Sequence, residues 1–215
     1  MFYIFDWDGT LSDSAAKITM CMQLAAKELG QEARSADQIR NIIGLGLPEA
    51  IRTLYPEITQ ITLDAFRDAY SHNFTLHDQQ PSEFFPAVME TLTQLRDNGC
   101  ALAVATGKSR RGLDRVLGRL GLADFFHYSR CADETASKPD PLMLQELLDE
   151  ASCSVEQAVM VGDTEWDMRM ADNIGMPKIA VSYGAHDKQR LLDLKPDLFI
   201  DSFETVLEWR FPAPN

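Results

Sequence analysis

The stretch "FDWDGT", residues 5–10, ends an apolar run, "MFYIF", with two carboxylates, Asp6 and Asp8, one residue apart. An apolar run of that kind reads as a buried strand, and buried strands avoid unpaired charge. A first strand that stops on two acids and a Gly-Thr turn needs a reason for both of them. The reason has to come from what else the chain brings to the same edge.

Further short runs rich in Val, Ile and Phe follow in the second half of the chain. They are "ALAVA" (101–105), "QAVMVG" (157–162), "KIAVS" (178–182) and "DLFI" (197–200), with a weaker one around "FFHYS" (125–129). Between them lie segments such as "RRGLDRVLGRLGL" and "PLMLQELLDEA", whose apolar residues recur at helical spacing. Alternation of strand and helix predicts an α/β fold, a Rossmann-like parallel sheet with helices on both faces.

One interval is too long for this scheme. A strand-helix-strand unit takes about thirty residues or somewhat more, yet the run after Asp6 resumes only at Ala101. The segment "FPAVMETLTQLRDNG" supplies an ordinary crossover helix, which leaves residues 15–81 in excess. That excess also reads as helices: "AAKITMCMQLAAKEL", "SADQIRNII", "LPEAIRTLY" and "LDAFRDAYSHNF", separated by Gly30, by Gly44 and Gly46, and by Pro56. The expectation is a helical domain, 15–81, inserted into a core of 1–14 and 82–215, with crossings near 12–15 and 80–86. The tail, 210–215, is expected to fray.

The 215 residues, 45% hydrophobic, suffice for a full core plus an insertion. A net charge of −13 argues against nucleic acid or an anionic membrane as partner. Cys21, Cys100, Cys131 and Cys153 are widely spaced, which suits reduced thiols. No run approaches transmembrane length and no basic segment precedes the first strand, so a cytoplasmic protein is expected. The acidic surface favours a monomer.

In open parallel sheets ligands bind beyond the carboxyl ends of the strands. Asp6 and Asp8 follow the first run, Thr106 follows "ALAVA", and Asp163 follows "QAVMVG" with Asp167 one helical turn later. Lys138, in "SKPDP", precedes the helix that begins near Pro141. Taken singly, such residues cap helices or form turns. Taken together they place several carboxylates, a hydroxyl and an ammonium on one rim. Clustered carboxylates repel unless a cation sits among them, and all-oxygen ligation suits Mg²⁺, for which Asp6 and Asp163 suffice. A lysine and a hydroxyl can hold the oxygens of a transferring phosphoryl group. Of the paired acids, Asp6 can attack phosphorus and Asp8 can move the leaving-group proton.

"DWDGT", "ATG" with Thr106, "SKPDP" with Lys138 and "VGDTEWD" with Asp163 and Asp167 resemble, in order, the four motifs of the haloacid dehalogenase superfamily. The insertion is similar to that superfamily's type 1 cap, and the nearest resemblance is to phosphoglycolate phosphatase-like hydrolases. The resemblance implies hydrolysis of a small phosphorylated metabolite, dependent on Mg²⁺, through an aspartyl-phosphate. By position it makes Asp6 nucleophile and metal ligand. Asp8 becomes the acid/base, its backbone carbonyl also a ligand, and Asp163 completes the metal site. Thr106, Gly107 and Lys138 hold the phosphoryl group, and Asp167 has a supporting role, through water or by orienting its neighbours.

Asp8 argues against the dehalogenases and phosphonate-cleaving relatives of this superfamily, which lack an acid there. A phosphosugar mutase would share all four motifs, and a non-catalytic phosphate-binding module would have no need of an acid/base pair. "ATGKS" fails as a P-loop because Leu102 stands where a glycine is required, and "GLGLPE" fails as a dinucleotide fingerprint because Glu49 occupies the third glycine position. Gly44, Leu45 and Gly46 are better read as a bend that brings backbone to the substrate, and Arg52 as a partner for a substrate carboxylate. Lys108 is a further source of anion attraction. Trp7 and Trp166 are expected to pack beneath the site.

Overall fold

The computed structural model describes residues 1–79 and 81–211; Gln80, within the expected second crossing, and residues 212–215 of the expected frayed tail lie outside the described residues. Among the described residues the first strand, β1 (Phe2–Phe5), is followed by four helices, α1 (Ala15–Glu28), α2 (Ala36–Arg40), α3 (Leu47–Leu54) and α4 (Gln60–His77). The chain then alternates: α5 (Val88–Asp97), β2 (Ala101–Thr106), α6 (Arg110–Leu120), β3 (Tyr128–Cys131), α7 (Leu142–Ala151), β4 (Ala158–Gly162), α8 (Glu165–Asp172), β5 (Lys178–Val181), α9 (Lys188–Leu192) and β6 (Leu198–Ile200).

The six described strands form one sheet in the order β3-β2-β1-β4-β5-β6, each pair parallel. β1 lies at its centre, with Phe5 opposite Val104 on one side and Val161 on the other. Its unbroken apolar run follows from burial on both faces. Tyr3 and Phe5 pack with Leu102, Val104, Val159 and Val161 beneath α5 and α6, while Phe2 and Ile4 pack with Ala103, Ala105, Ala158 and Met160 beneath α7 and α8. Both faces are therefore dry, and polar chemistry is confined to the strand ends.

The edge strand departs from expectation. The aromatic pair at 125–126 precedes β3, and Phe125 and Phe126 pack on the core from a turn, with the Phe126 ring 6.2 Å from that of Trp7. β3 is only half-buried and reads "YSRC", so its own composition carries little strand signal.

α1 to α4 have an apolar cluster of their own, built on Met22, Ile39, Ile43, Ile51, Leu63 and Phe66. The two crossings between these helices and the sheet run side by side. The Asp13 N–H donates to the Glu83 carbonyl at 2.9 Å and the Phe85 N–H to the Leu11 carbonyl at 3.0 Å. No helix among the described residues is long and apolar enough to cross a membrane.

Ala87 caps the N-terminus of α5 with φ 63° and ψ 3°, in the left-handed region. An L-residue there costs roughly 1–2 kcal/mol, against a smaller loss of unfolded-state entropy with glycine. Ala87→Gly is therefore expected to stabilise the protein by about 0.5–1 kcal/mol. Urea unfolding at unchanged slope measures this, and a midpoint that fails to rise would contradict it.

Candidate active site

Asp6 continues the line of β1, its N–H bonded to the Val161 carbonyl at 2.9 Å, and its carboxylate is wholly buried at the carboxyl end of the sheet. Lys138 reaches the same point from the loop ahead of α7. Its ammonium, 1% exposed, lies 2.6 Å from Asp6 Oδ1 and 2.6 Å from Asp167 Oδ1. Asp167 stands in the first turn of α8, where its Oδ2 accepts from the Thr164 N–H at 3.1 Å and the Thr164 hydroxyl at 2.7 Å. Asp163, just past β4, accepts from the Thr10 hydroxyl at 2.8 Å and the Ala185 N–H at 2.6 Å. One carboxylate oxygen each from Asp6, Asp163 and Asp167 falls within 4.8 Å of the others. Asp6 Oδ2 is buried and has no hydrogen-bond partner among the described residues.

This crowding depends on glycine backbone. A Cβ on Gly9, whose φ is +92°, would fall 2.2 Å from Asp163 Oδ2, and one on Gly184 would fall 2.2 Å from the Asp163 Cβ. Either methyl would displace the carboxylate from its place.

The electrostatics follow from three acids sharing one ammonium. Burial pushes Asp6 well above the ordinary carboxyl value; Lys138 opposes this, while Asp167 and Asp163 add to it. Burial, with Asp167 beside it, pushes Asp163 up to about 7, against the Ala185 and Thr10 hydrogen bonds. Burial alone would discharge Lys138, but Asp167 and Asp6 reverse that and hold it firmly protonated. The cluster carries more negative charge than Lys138 neutralises, and Asp6 Oδ2 is left without a donor. A hard cation ligated by oxygen matches both deficits.

Asp8 lies at the margin of this cluster. Its Oδ1 accepts from the Ser14 hydroxyl at 2.6 Å and pairs with the Lys108 ammonium at 2.9 Å. It also lines a cavity of about 650 Å³ that opens between the sheet end and the inserted helices. Thr106, fully buried at the end of β2, accepts from the Lys108 N–H at 3.2 Å. Gly107 is covered by the 44–46 bend, since a Cβ there would fall 2.4 Å from the Leu45 carbonyl oxygen and 2.6 Å from that of Gly44. The Gly46 N–H donates to Ser137 Oγ at 2.8 Å, next to Lys138.

Asp6, Lys138, Asp163 and Asp167 are thus gathered in one buried cluster, with Asp8, Thr106 and Gly107 at the same strand ends. Arg52 is not brought to them: it is exposed on α3 and bonded to Gln60 at 2.9 Å. A guanidinium in the last turn of a short amphipathic helix defaults to solvent. Trp7 packs beneath the site against Phe84 and Phe126, as expected. Trp166 does not. Its Nε1–H donates to the Asn41 carbonyl at 3.3 Å, and the same carbonyl lies 3.3 Å from His186 Nε2. His186 Nδ1 accepts the Glu165 N–H at 3.0 Å, so Nε2 carries the proton and donates. Burial first and Arg190 second push His186 below its ordinary value and favour this neutral form. Arg190 completes the contact by bonding both Asn41 Oδ1 and Glu165. None of Thr10, Ser14, Asn41 or Ala185 was singled out by sequence; only the hydroxyls of Thr10 and Ser14, flanking the paired acids, left a usable signal.

The family model for haloacid dehalogenase-like hydrolases matches residues 3–181. The chain belongs to that family. This hydrolase is 31% identical over 212 residues to the phosphoglycolate phosphatase of Vibrio cholerae, covering 95% of this chain and 94% of the relative. It is 29% identical over 208 residues to the phosphoglycolate phosphatase of Agrobacterium fabrum, covering 94% and 89%. A crystal structure from Bacteroides fragilis, described as a haloacid dehalogenase-like hydrolase, superposes with a TM-score of 0.89 at 26% identity, covering 95% of this chain and 98% of the other. The matched span of the family model contains every residue of the buried cluster.

A carboxyl whose folded pKa lies above its unfolded value favours folding at low pH, and that contribution is lost as pH rises through the folded pKa. For Asp163 the window runs from the ordinary 3.8 to about 7. In chelator-treated hydrolase, Asp163→Asn is therefore expected to melt above wild type near neutral pH, with the margin shrinking toward pH 4. Thermal midpoints across that range measure it, and a margin independent of pH would contradict titration of the buried carboxyl as its cause.

Proposed function

We propose that this hydrolase is a Mg²⁺-dependent phosphatase acting on a small phosphomonoester through a covalent aspartyl-phosphate. The observation that carries the reading is the pairing of two unlike acids: Asp6, dry and with one unengaged oxygen, and Asp8, facing the large cavity. The phosphoglycolate phosphatase names of curated relatives support the reaction class and make phosphoglycolate the first compound to assay.

In this reading Asp6, Asp163 and the backbone carbonyl of Asp8 hold Mg²⁺, with Asp167 orienting the site through Lys138 and Thr164. The metal, when bound, supplies charge that offsets the carboxylates and the phosphoryl oxygens. The Asp6 carboxylate attacks phosphorus and the bond from phosphorus to the alcohol oxygen breaks. Asp8, protonated, gives its proton to that leaving oxygen. Asp8, now ionised, takes a proton from a water that attacks phosphorus, and the bond to Asp6 breaks to release inorganic phosphate. The Thr106 hydroxyl, the Gly107 N–H and the Lys138 ammonium hold the remaining phosphoryl oxygens, so charge developing on them meets donors already in place.

The inserted segment, 15–81, acts as a cap that limits bulk water at the phosphoryl group. The contact of the 44–46 bend with Gly107 supports that role. The working protein is a cytoplasmic monomer whose partner is a small phosphorylated metabolite, in keeping with its net charge of −13.

Asp6→Asn keeps the shape of the side chain and removes the nucleophile. It is expected to abolish phosphate release from every phosphomonoester that wild type hydrolyses, a loss on the order of 10³-fold or more, while the fold persists. Release of inorganic phosphate with Mg²⁺, measured for both proteins, decides the matter. Turnover by a folded Asp6→Asn protein at the wild-type rate would end the covalent mechanism.

A further inference from the structure

Asn41 ends α2, within the inserted helices, and meets a socket on the sheet side built by Trp166, His186 and Arg190. Its carbonyl accepts from Trp166 Nε1–H and from His186 Nε2–H, each at 3.3 Å, and its Oδ1 accepts from Arg190. The socket also holds itself together. The Trp166 and His186 rings meet edge-on at 6.1 Å, and the Arg190 guanidinium lies 5.9 Å from the Trp166 ring.

The segments that build this socket also place the buried acids. Trp166 stands between Asp163 and Asp167 in the chain, beside Glu165, which Arg190 bonds. His186 follows Ala185, whose N–H donates to Asp163 Oδ2 at 2.6 Å. The rest of the bend touches further supports of the cluster. A Cβ on Gly44 would lie 3.1 Å from Thr164 Oγ1, the hydroxyl that bonds Asp167. The Gly46 N–H donates to Ser137 Oγ, and Ser137 precedes Lys138. Among the described residues, Asn41, Gly44 and Gly46 thus brace the neighbours of Asp163, Asp167 and Lys138 without bonding an acid of the cluster themselves.

The clustered acids repel one another, and a cation between them reverses that. Drawing the ends of β4 and β5 together around a cation sets the same segments in the arrangement that receives Asn41. We propose that Asn41 is a positioning residue for the divalent cation: through the socket, seating of the inserted helices and occupancy of the acid cluster favour one another. This rests on the cation assigned to the cluster in the phosphatase reading, and its test reads binding rather than turnover. Linked equilibria change by the same factor from either side, commonly about 5–150-fold.

Mg²⁺ binding is measured by calorimetric titration of chelator-treated protein, and seating by amide exchange at Gly46, whose N–H crosses the junction to Ser137. In the wild type, saturating Mg²⁺ is expected to slow exchange at Gly46 by about fivefold or more. Asn41→Ala removes the acceptor for Arg190 and is expected to raise the Kd for Mg²⁺ by about fivefold or more. Asn41→Asp keeps an oxygen for Arg190 and is expected to restore the wild-type Kd. Arg190→Gln, which breaks the same bond from the core side, replaces Asn41→Ala if that variant does not fold. A wild-type Kd in the folded Asn41→Ala protein, or equal weakening in Asn41→Asp, would overturn the role of Asn41. Exchange at Gly46 that is indifferent to Mg²⁺ would overturn the linkage. Wild-type protein that binds no Mg²⁺ would remove the metal from the phosphatase reading, and this inference with it.

Discussion

The Lys138 ammonium, held 2.6 Å from both Asp6 and Asp167, is the contact on which the site depends. It joins the end of the central strand to the first turn of α8 through a residue supplied by a third loop. Removing the lysine would leave buried carboxylates uncompensated, and that is far more damaging than never having built the set. The arrangement is also incomplete in its charges. Three buried carboxylates face one lysine, and burial, with Asp167 beside it, raises Asp163 to about 7. A site of this kind keeps its shape through Lys138 and leaves surplus acids that could hold one further cation.

The inserted helices are fixed to this site by a second attachment besides the two chain crossings. The crossings at Asp13–Glu83 and Leu11–Phe85 are backbone bonds that would serve any inserted unit. The other attachment is particular: Asn41 presents its carbonyl to Trp166 and His186 and its amide oxygen to Arg190. Trp166 and Glu165 belong to the same helix start that carries Asp167. The segment that positions the lysine's second partner is thus also the segment that seats the 41–46 bend. Placement of the helices and placement of the buried acids share one element.

Much of this was legible in the sequence for a plain reason. When both faces of a parallel sheet are buried, polar residues that break an apolar run mark the strand ends, and Asp6, Thr106 and Asp163 did so. Lys138 and Asp167 were legible because loops at the same edge bring them within reach. What sequence could not resolve was rotation about helices and contacts between distant segments. Arg52 lies on the exposed face of α3, a matter of helix phase relative to neighbours that one amphipathic stretch does not fix. Trp166 turned outward to Asn41, 125 residues away, and no local pattern carries that pairing. The Ala185 N–H on Asp163 is invisible in principle, because backbone donors have no sequence signature.

The two acids that open the chain's chemistry differ by environment more than by position. Residues i and i+2 on an extended strand share a face, so a continued β1 would have sent Asp6 and Asp8 into the same pocket. Instead the chain bends at Trp7, between the two acids, and Asp8 stands at the cavity margin, with the Gly9 N–H on the Ser12 carbonyl at 2.9 Å just beyond it. There the Ser14 hydroxyl and the Lys108 ammonium bond it. Under the proposed mechanism one acid has to be stripped of water and the other has to exchange protons with what enters the cavity. A bend of one residue between a dry strand end and an open wall gives the two carboxylates those separate conditions, and the turn that follows requires at position 9 a residue that tolerates φ +92° beside Asp163.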